Sequence, residues 1–318
     1  MYGIRPTENS QQQILSSRVH LRWRPSMDSL DFVNPYLYRY KKRNFLVKDK
    51  MRPKDLDELQ HFEIQPTDIF LVTYPKSGTQ WMQQILVKIM DAADPDWVED
   101  ANNRVRIPWL EERAVDDPYR ERPAPRIFGS HLPPDMLPHG VKDKQIKIVY
   151  VWRNPKDVLV SLYHFAHSWV LLEQPQSFDE FFQQFLDGDV YMGSWFDQVG
   201  EYCAVRDQLN IHFVQYESML KDLRGEVVKL CAFLEKDLTD EAIDNVVKMS
   251  TFKNMKTDPK ANYKDFSETN RYKKETMRKG MAGDWKNHFT VAQNERFDRV
   301  FKEKMSDFPL TCIWEVKQ

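Results

Sequence analysis

The sequence predicts an α/β fold: a single domain with a central, mostly parallel sheet, helices on both faces and a phosphate-binding strand-loop-helix. Two observations predict it. Three apolar runs of strand length recur along the chain, and each is followed by a helical pattern. A third observation places the chemistry, because the first run leads into a turn rich in lysine, hydroxyls and glycine.

The runs are Asp68–Tyr74, Ile146–Trp152 and Ile211–Tyr216, continuous rather than alternating, as in parallel strands covered on both faces. The helical patterns that follow span Gln80 to Met90, Asp157 to Trp169 and Leu223 to Leu234, and a short helix over Asp55–Leu59 precedes the first strand. Residues 1–35 mix Gln, Ser, Arg and Pro without periodicity and are expected to be a flexible extension, with residues 36–318 forming the domain.

Composition narrows the function. A chain of 318 residues, 41% hydrophobic and 30% charged, falls in the ordinary globular class. Its net charge of −2 provides no global field for polyanions, so nucleic acid is not an expected partner and any anion site must be local. No apolar run is long enough to span a bilayer, and no membrane partner is expected. Cys203, Cys231 and Cys312 are odd in number and widely spaced, which speaks against a disulfide framework or a zinc site and fits a cytoplasmic protein.

After the first strand comes Pro75-Lys76-Ser77-Gly78-Thr79, then Gln80, Trp81 and the helix. Free N–H groups at a helix start, a glycine permitting close approach, a lysine and two hydroxyls suit a phosphate or sulfate, and Trp81 is placed to stack on a base. The triphosphate motif is not matched, since the lysine precedes the glycine and the first glycine is missing. The second strand ends at Arg153, with Asp157 as an expected helix cap and Ser161 one turn into the helix. There an arginine can fork onto a phosphate, although a surface ion pair is its commoner role. The third piece, Lys256 to Lys279, holds eight Lys or Arg against four Asp or Glu and reads as a binding loop or lid. His164 and His167, three apart with no third ligand, read as helix-face residues, and no metal site is expected.

Together these pieces carry a family resemblance: from about residue 45 onward the chain resembles the cytosolic sulfotransferases, with some closeness to the amine-type branch. T-Y-P-K-S-G-T looks like that family's 5′-phosphosulfate loop, and R-N-P-K-D-V-L-V-S and R-K-G-M-A-G-D-W-K-N look like its 3′-phosphate elements. The resemblance implies transfer of sulfonate from 3′-phosphoadenosine 5′-phosphosulfate (PAPS) to a hydroxyl or amine of a small, largely apolar acceptor by in-line displacement. Adenosine 3′,5′-bisphosphate is then the product, and no metal is required.

Residue by residue, it implies that Lys76, Ser77, Gly78 and Thr79 hold the 5′ end, with Gln80 where many members have a second Thr. It implies that Arg153, Ser161, Arg278, Lys279 and Gly280 hold the 3′-phosphate, and that Trp81, Tyr216, Thr251 and Phe252 enclose the adenine. His131, in Gly129-Ser-His-Leu-Pro133, matches the catalytic base, and Lys76 matches the group that stabilises the leaving oxygen. Gly129 stands where phenol-type members carry Lys. Trp109 and Phe165 resemble acceptor-pocket positions. Lys286, Thr290, Val291 and Glu295 match the short dimer motif, so a homodimer with an interface below ~1,200 Å² is expected. Thr290 with Gln293 also makes a capping box on its own. Two rivals are weaker. A phosphotransferase predicts a triphosphate loop and acidic magnesium ligands, and a non-catalytic nucleotide-binding module leaves His131 and Lys76 without a use.

Overall fold

A computed structural model describes residues 30–47, 51–97, 99–112, 118–263 and 271–316. Most of the expected extension lies outside the described residues. Its last part does not: β1 (Asp31–Asn34) pairs antiparallel with β2 (Leu37–Tyr40), which pairs with β3 (Arg43–Leu46), so regular structure starts before Tyr36. This small sheet is tied to the body by Asn44, whose amide donates to the Gly188 and Val190 carbonyls at 2.8 and 2.9 Å.

Helix α1 (Pro53–Leu59) opens on a proline, whose missing N–H costs nothing at a helix start, and buries Leu56 and Leu59. The central sheet follows. It contains β4 (Ile69–Thr73), β5 (Ile127–Ser130), β6 (Lys147–Trp152) and β7 (Ile211–Gln215), all parallel, in the order β5-β4-β6-β7. Three of these are the strands the sequence predicted. The edge strand β5 was missed, because four residues including a glycine make a weak apolar run.

Side chains alternate between two cores. Phe70, Val72, Ile148 and Tyr150 enter one, with α3 (Pro155–Ala166), α4 (Phe178–Asp187), α5 (Trp195–Ala204) and α9 (Val291–Lys304). Ile69, Leu71, Val149 and Val151 enter the other, with α2 (Thr79–Ala93), α6 (Leu223–Leu234) and α7 (Asp240–Met249). Burial on both faces is why the strands read as unbroken apolar runs. A short helix α8 (Phe252–Thr257) follows α7.

Register decides where function sits. Val72 lies opposite Ser130, Thr73 opposite Val151, and Trp152 opposite Gln215, so the four strands end together at one edge of the sheet. The next residues along the four strands lead to Lys76, His131, Arg153 and Tyr216. Ligands of such sheets bind beyond these carboxyl ends. Among the described residues no helix is long and apolar enough to cross a membrane.

Candidate active site

A cavity of about 280 Å³ opens at this edge. One half is cationic, with Lys76, Arg153, Arg278 and Lys279 around Gly78, Thr79, Trp81, Ser161, Tyr216, Phe252 and Gly280. The other half is largely aromatic, with Trp109, Phe165, Trp169, Tyr191, Tyr263 and Tyr272 around His131.

The loop between β4 and α2 is built for an anion. Lys76 sits at φ +70° and Gly78 at φ +117°, two left-handed residues that fold the backbone into a concave turn. At Gly78 an added Cβ would lie 2.8 Å from the Tyr216 ring, so only glycine fits. Gly78 is the N-cap and brings no side-chain acceptor, which leaves the first-turn N–H groups of α2 to a ligand. The Ser77 hydroxyl is buried without a hydrogen-bond partner. These features fit a phosphate or sulfonate group. Burial, then the charges of Arg153 and Arg278, pull the Lys76 ammonium down to about 8. Its Nζ lies 4.1 Å from the centre of the Phe165 ring, at the boundary between the two halves.

A second cationic cluster is assembled from the connection between β6 and α3 and the segment 278–285. Arg153 lies 4.2 Å over the Tyr216 ring and donates to the Met281 carbonyl at 2.9 Å. Asp157 does not cap α3 as expected; the Asn154 side chain does, because it precedes the helix and reaches the N–H groups of Lys156 and Asp157. The Asp157 carboxylate instead accepts from the N–H groups of Gly283 and Trp285 at 2.7 and 3.0 Å, hanging the distant segment on the helix. Arg278 and Lys279 converge on Asp284 at 2.7 and 2.6 Å. Burial would raise the Asp284 carboxyl, but bonds from Lys279, Asn287 and Arg278 hold it well below the usual range. Gly280, at φ +66°, packs so closely on Phe252 that a Cβ would lie 2.2 Å from the ring.

His131 follows β5 directly. Its Nδ1 lies 2.7 Å from the Thr73 carbonyl, which cannot donate, so Nδ1 carries the proton and Nε2 keeps its lone pair. The Thr73 hydroxyl lies 2.6 Å from that of Thr79, linking the histidine to the anion loop. Burial first, and then the nearby Lys76 and Arg104 charges, push the imidazole down to about 3 against the Thr73 bond, so it is neutral at physiological pH. The Trp109 ring centre stands 4.4 Å from that of His131.

The cavity thus gathers the expected loop, both 3′ elements, His131, Trp109 and Phe165. Ser77 and Thr251 are not among the lining residues: Ser77 is fully buried within the loop, and Thr251 caps α8 by accepting from the Asn254 N–H at 3.4 Å. Trp81 does not lie flat against Tyr216 but meets it edge-on at 5.2 Å, with its N–H on the Ser250 carbonyl at 2.7 Å. Sequence reasoning missed Glu111, whose carboxylate accepts from the His131 N–H and the Ser130 hydroxyl. Tyr263 and Tyr272 lie in the segment 256–279 that reads as a binding loop, but nothing in the sequence singles them out, since Tyr272 reaches the cavity by bridging to Trp169. His164 and His288 meet at 3.0 Å between Nε2 atoms, and among the described residues no cluster of three metal-ligating side chains occurs.

Of the dimer-motif residues, Thr290 forms the capping box with Gln293, Lys286 pairs with Glu315, Val291 is 76% exposed and Glu295 is exposed.

A parallel sheet whose carboxyl-end cavity joins a cationic half to an aromatic half around a histidine suits a group transferase with an anionic donor. Residues 66–309 match the sulfotransferase domain family, and the chain belongs to that family. It is 43% identical to the amine sulfotransferase of Oryctolagus cuniculus over 291 residues, covering 90% of this chain and 96% of that one. It is 38% identical to the 3-beta-hydroxysteroid sulfotransferase of Cavia porcellus, covering 89% and 93%. Among solved structures it is similar to mouse sulfotransferase SULT7A1 complexed with PAP, at a TM-score of 0.74 and 31% identity, covering 86% of this chain and 96% of that one.

Proposed function

We propose that this sulfotransferase takes sulfonate from PAPS and passes it to a hydroxyl or amine on a small, largely apolar acceptor, with His131 as general base. The observation that carries this reading is the placement of a neutral, oriented imidazole and an ammonium at the boundary between a cationic and an aromatic half-cavity. The PAP complex of the related mouse sulfotransferase supports the choice of donor.

PAPS supplies the electrophilic sulfur and the leaving bisphosphate. The residues do the rest. Lys76, Gly78 and Thr79, with the first-turn N–H groups of α2, hold the 5′ end, and Arg153, Ser161, Arg278, Lys279 and Gly280 hold the 3′-phosphate. Trp81, Tyr216 and Phe252 flank the base. His131 Nε2 accepts the acceptor's proton, and the Thr73 carbonyl steadies the imidazolium that forms. The Lys76 ammonium stands where negative charge grows on the leaving side. Trp109 and Phe165 shape the acceptor pocket together with Trp169, Tyr191, Tyr263 and Tyr272.

The cavity is mixed in character, with the Arg104–Glu112 ion pair on its aromatic wall, and relatives named for amines and for steroids both fit such a pocket. Homodimerisation through 286–295 and a cytoplasmic location complete the reading. Thermal shift tests the donor: adenosine 3′,5′-bisphosphate at 100 times its Kd should stabilise by about 2.7 kcal/mol. Stabilisation by magnesium-ATP alone would instead favour a phosphotransferase.

A further inference from the structure

Gln80 occupies the second position of α2, one residue after the anion loop, where the resemblance leaves its contact with the donor open. Both ends of its amide are engaged elsewhere. Nε2 donates to the Ala261 carbonyl at 2.7 Å, and Oε1 lies 3.2 Å from the Thr276 hydroxyl, which also sits 3.3 Å from the Asn262 carbonyl. That hydroxyl has one proton, so it is shared between two acceptors. Gln80 therefore draws together two stretches of chain that flank residues 264–270. The neighbours Tyr263, Tyr272, Thr276 and Met277 line the cavity.

The other polar residues of the helix do not duplicate this tie. Trp81 and Gln84 donate to the Ser250 and Met249 carbonyls, further back along the chain. Gln83 meets the Tyr263 hydroxyl but not residue 276. Only Gln80, among these, joins residues on both sides of 264–270.

We propose that Gln80 is a specificity-determining positioning residue that ties the backbone at Ala261 and the cavity-lining Thr276 to the helix of the donor loop, and does not grip the donor. This rests on the functional reading above. It makes the shape of the acceptor pocket depend on the helix that starts at the anion loop, so acceptor and donor binding are coupled, and the coupling is reciprocal.

The test measures acceptor KM, with 2-naphthol and 2-naphthylamine as matched hydroxyl and amine probes, beside the Kd for adenosine 3′,5′-bisphosphate. Gln80→Ala and Thr276→Val should each raise acceptor KM about fivefold, the loss of roughly 1 kcal/mol of hydrogen bonding, while nucleotide Kd stays within about twofold. The double variant should cost less than the two single changes added together, since the Gln80–Thr276 bond that each removes can be lost only once. Thr276→Val reads the same bond from its far side if Gln80→Ala yields no folded protein. A tenfold weaker nucleotide Kd for Gln80→Ala with KM unmoved would make Gln80 a donor contact and overturn the proposal, as would unchanged values in both variants. If neither probe is sulfonated, a steroid alcohol takes their place, and wild-type protein that transfers no sulfonate to any of the three would overturn the functional reading, and the tie with it.

Discussion

His131 shows how one backbone carbonyl sets a side chain's chemistry. Thr73 fixes the protonated nitrogen, burial keeps the ring neutral, and Glu111 anchors the backbone that carries it. Replacing His131 with Ala should cut turnover by roughly 100- to 10,000-fold, with nucleotide affinity nearly intact by titration. Lys76 predicts a pH dependence. Its ammonium is charged below about 8 and neutral above, and the charged form attracts the anion, so kcat/KM for PAPS should fall as pH rises through about 8. Lys76→Arg should remove that alkaline limb from the pH profile, because guanidinium does not titrate there. At this scale the sequence was most legible where a motif is contiguous, as in 76–79. It did not single out Glu111, Tyr263 or Tyr272, whose contacts lie far along the chain, although the last two fall in the segment 256–279 that reads as a binding loop.

Among the elements, the two cationic clusters of the cavity depend on ties between segments more than on any one charge. Asp157 holds Gly283 and Trp285, and Arg153 holds Met281, so the segment carrying Arg278 and Lys279 is placed by α3. Gly280→Ala must move Phe252 or the segment itself, and should weaken adenosine 3′,5′-bisphosphate binding by more than about tenfold in calorimetry. Thr290→Ala removes the cap of α9 and should cost about 1 kcal/mol in denaturant unfolding. That cap was readable from Thr290 and Gln293, whereas Asp157 was misassigned, since spacing alone cannot tell a capping carboxylate from one that reaches 126 residues away.

For the molecule as a whole, doubly covered strands made the parallel sheet readable, since burial on both faces leaves no polar alternation to confuse the period. The edge strand β5 and the small sheet β1-β2-β3 were not readable, because four-residue strands owe their conformation to neighbours. For β5 the pairing partners, such as Ile69 for Ile127, lie far away in sequence, whereas β1, β2 and β3 pair locally, as Leu37 does with Leu46. What the whole assembly transfers is open to direct measurement. Incubating wild type and His131→Ala with sulfur-labelled PAPS and a panel of phenols, steroids, other alcohols and amines tests the proposed sulfonate transfer most directly. Wild type should place label on at least one acceptor, and His131→Ala at least about a hundredfold less at unchanged nucleotide affinity. Label on no acceptor, or equal transfer by the two proteins, would contradict it.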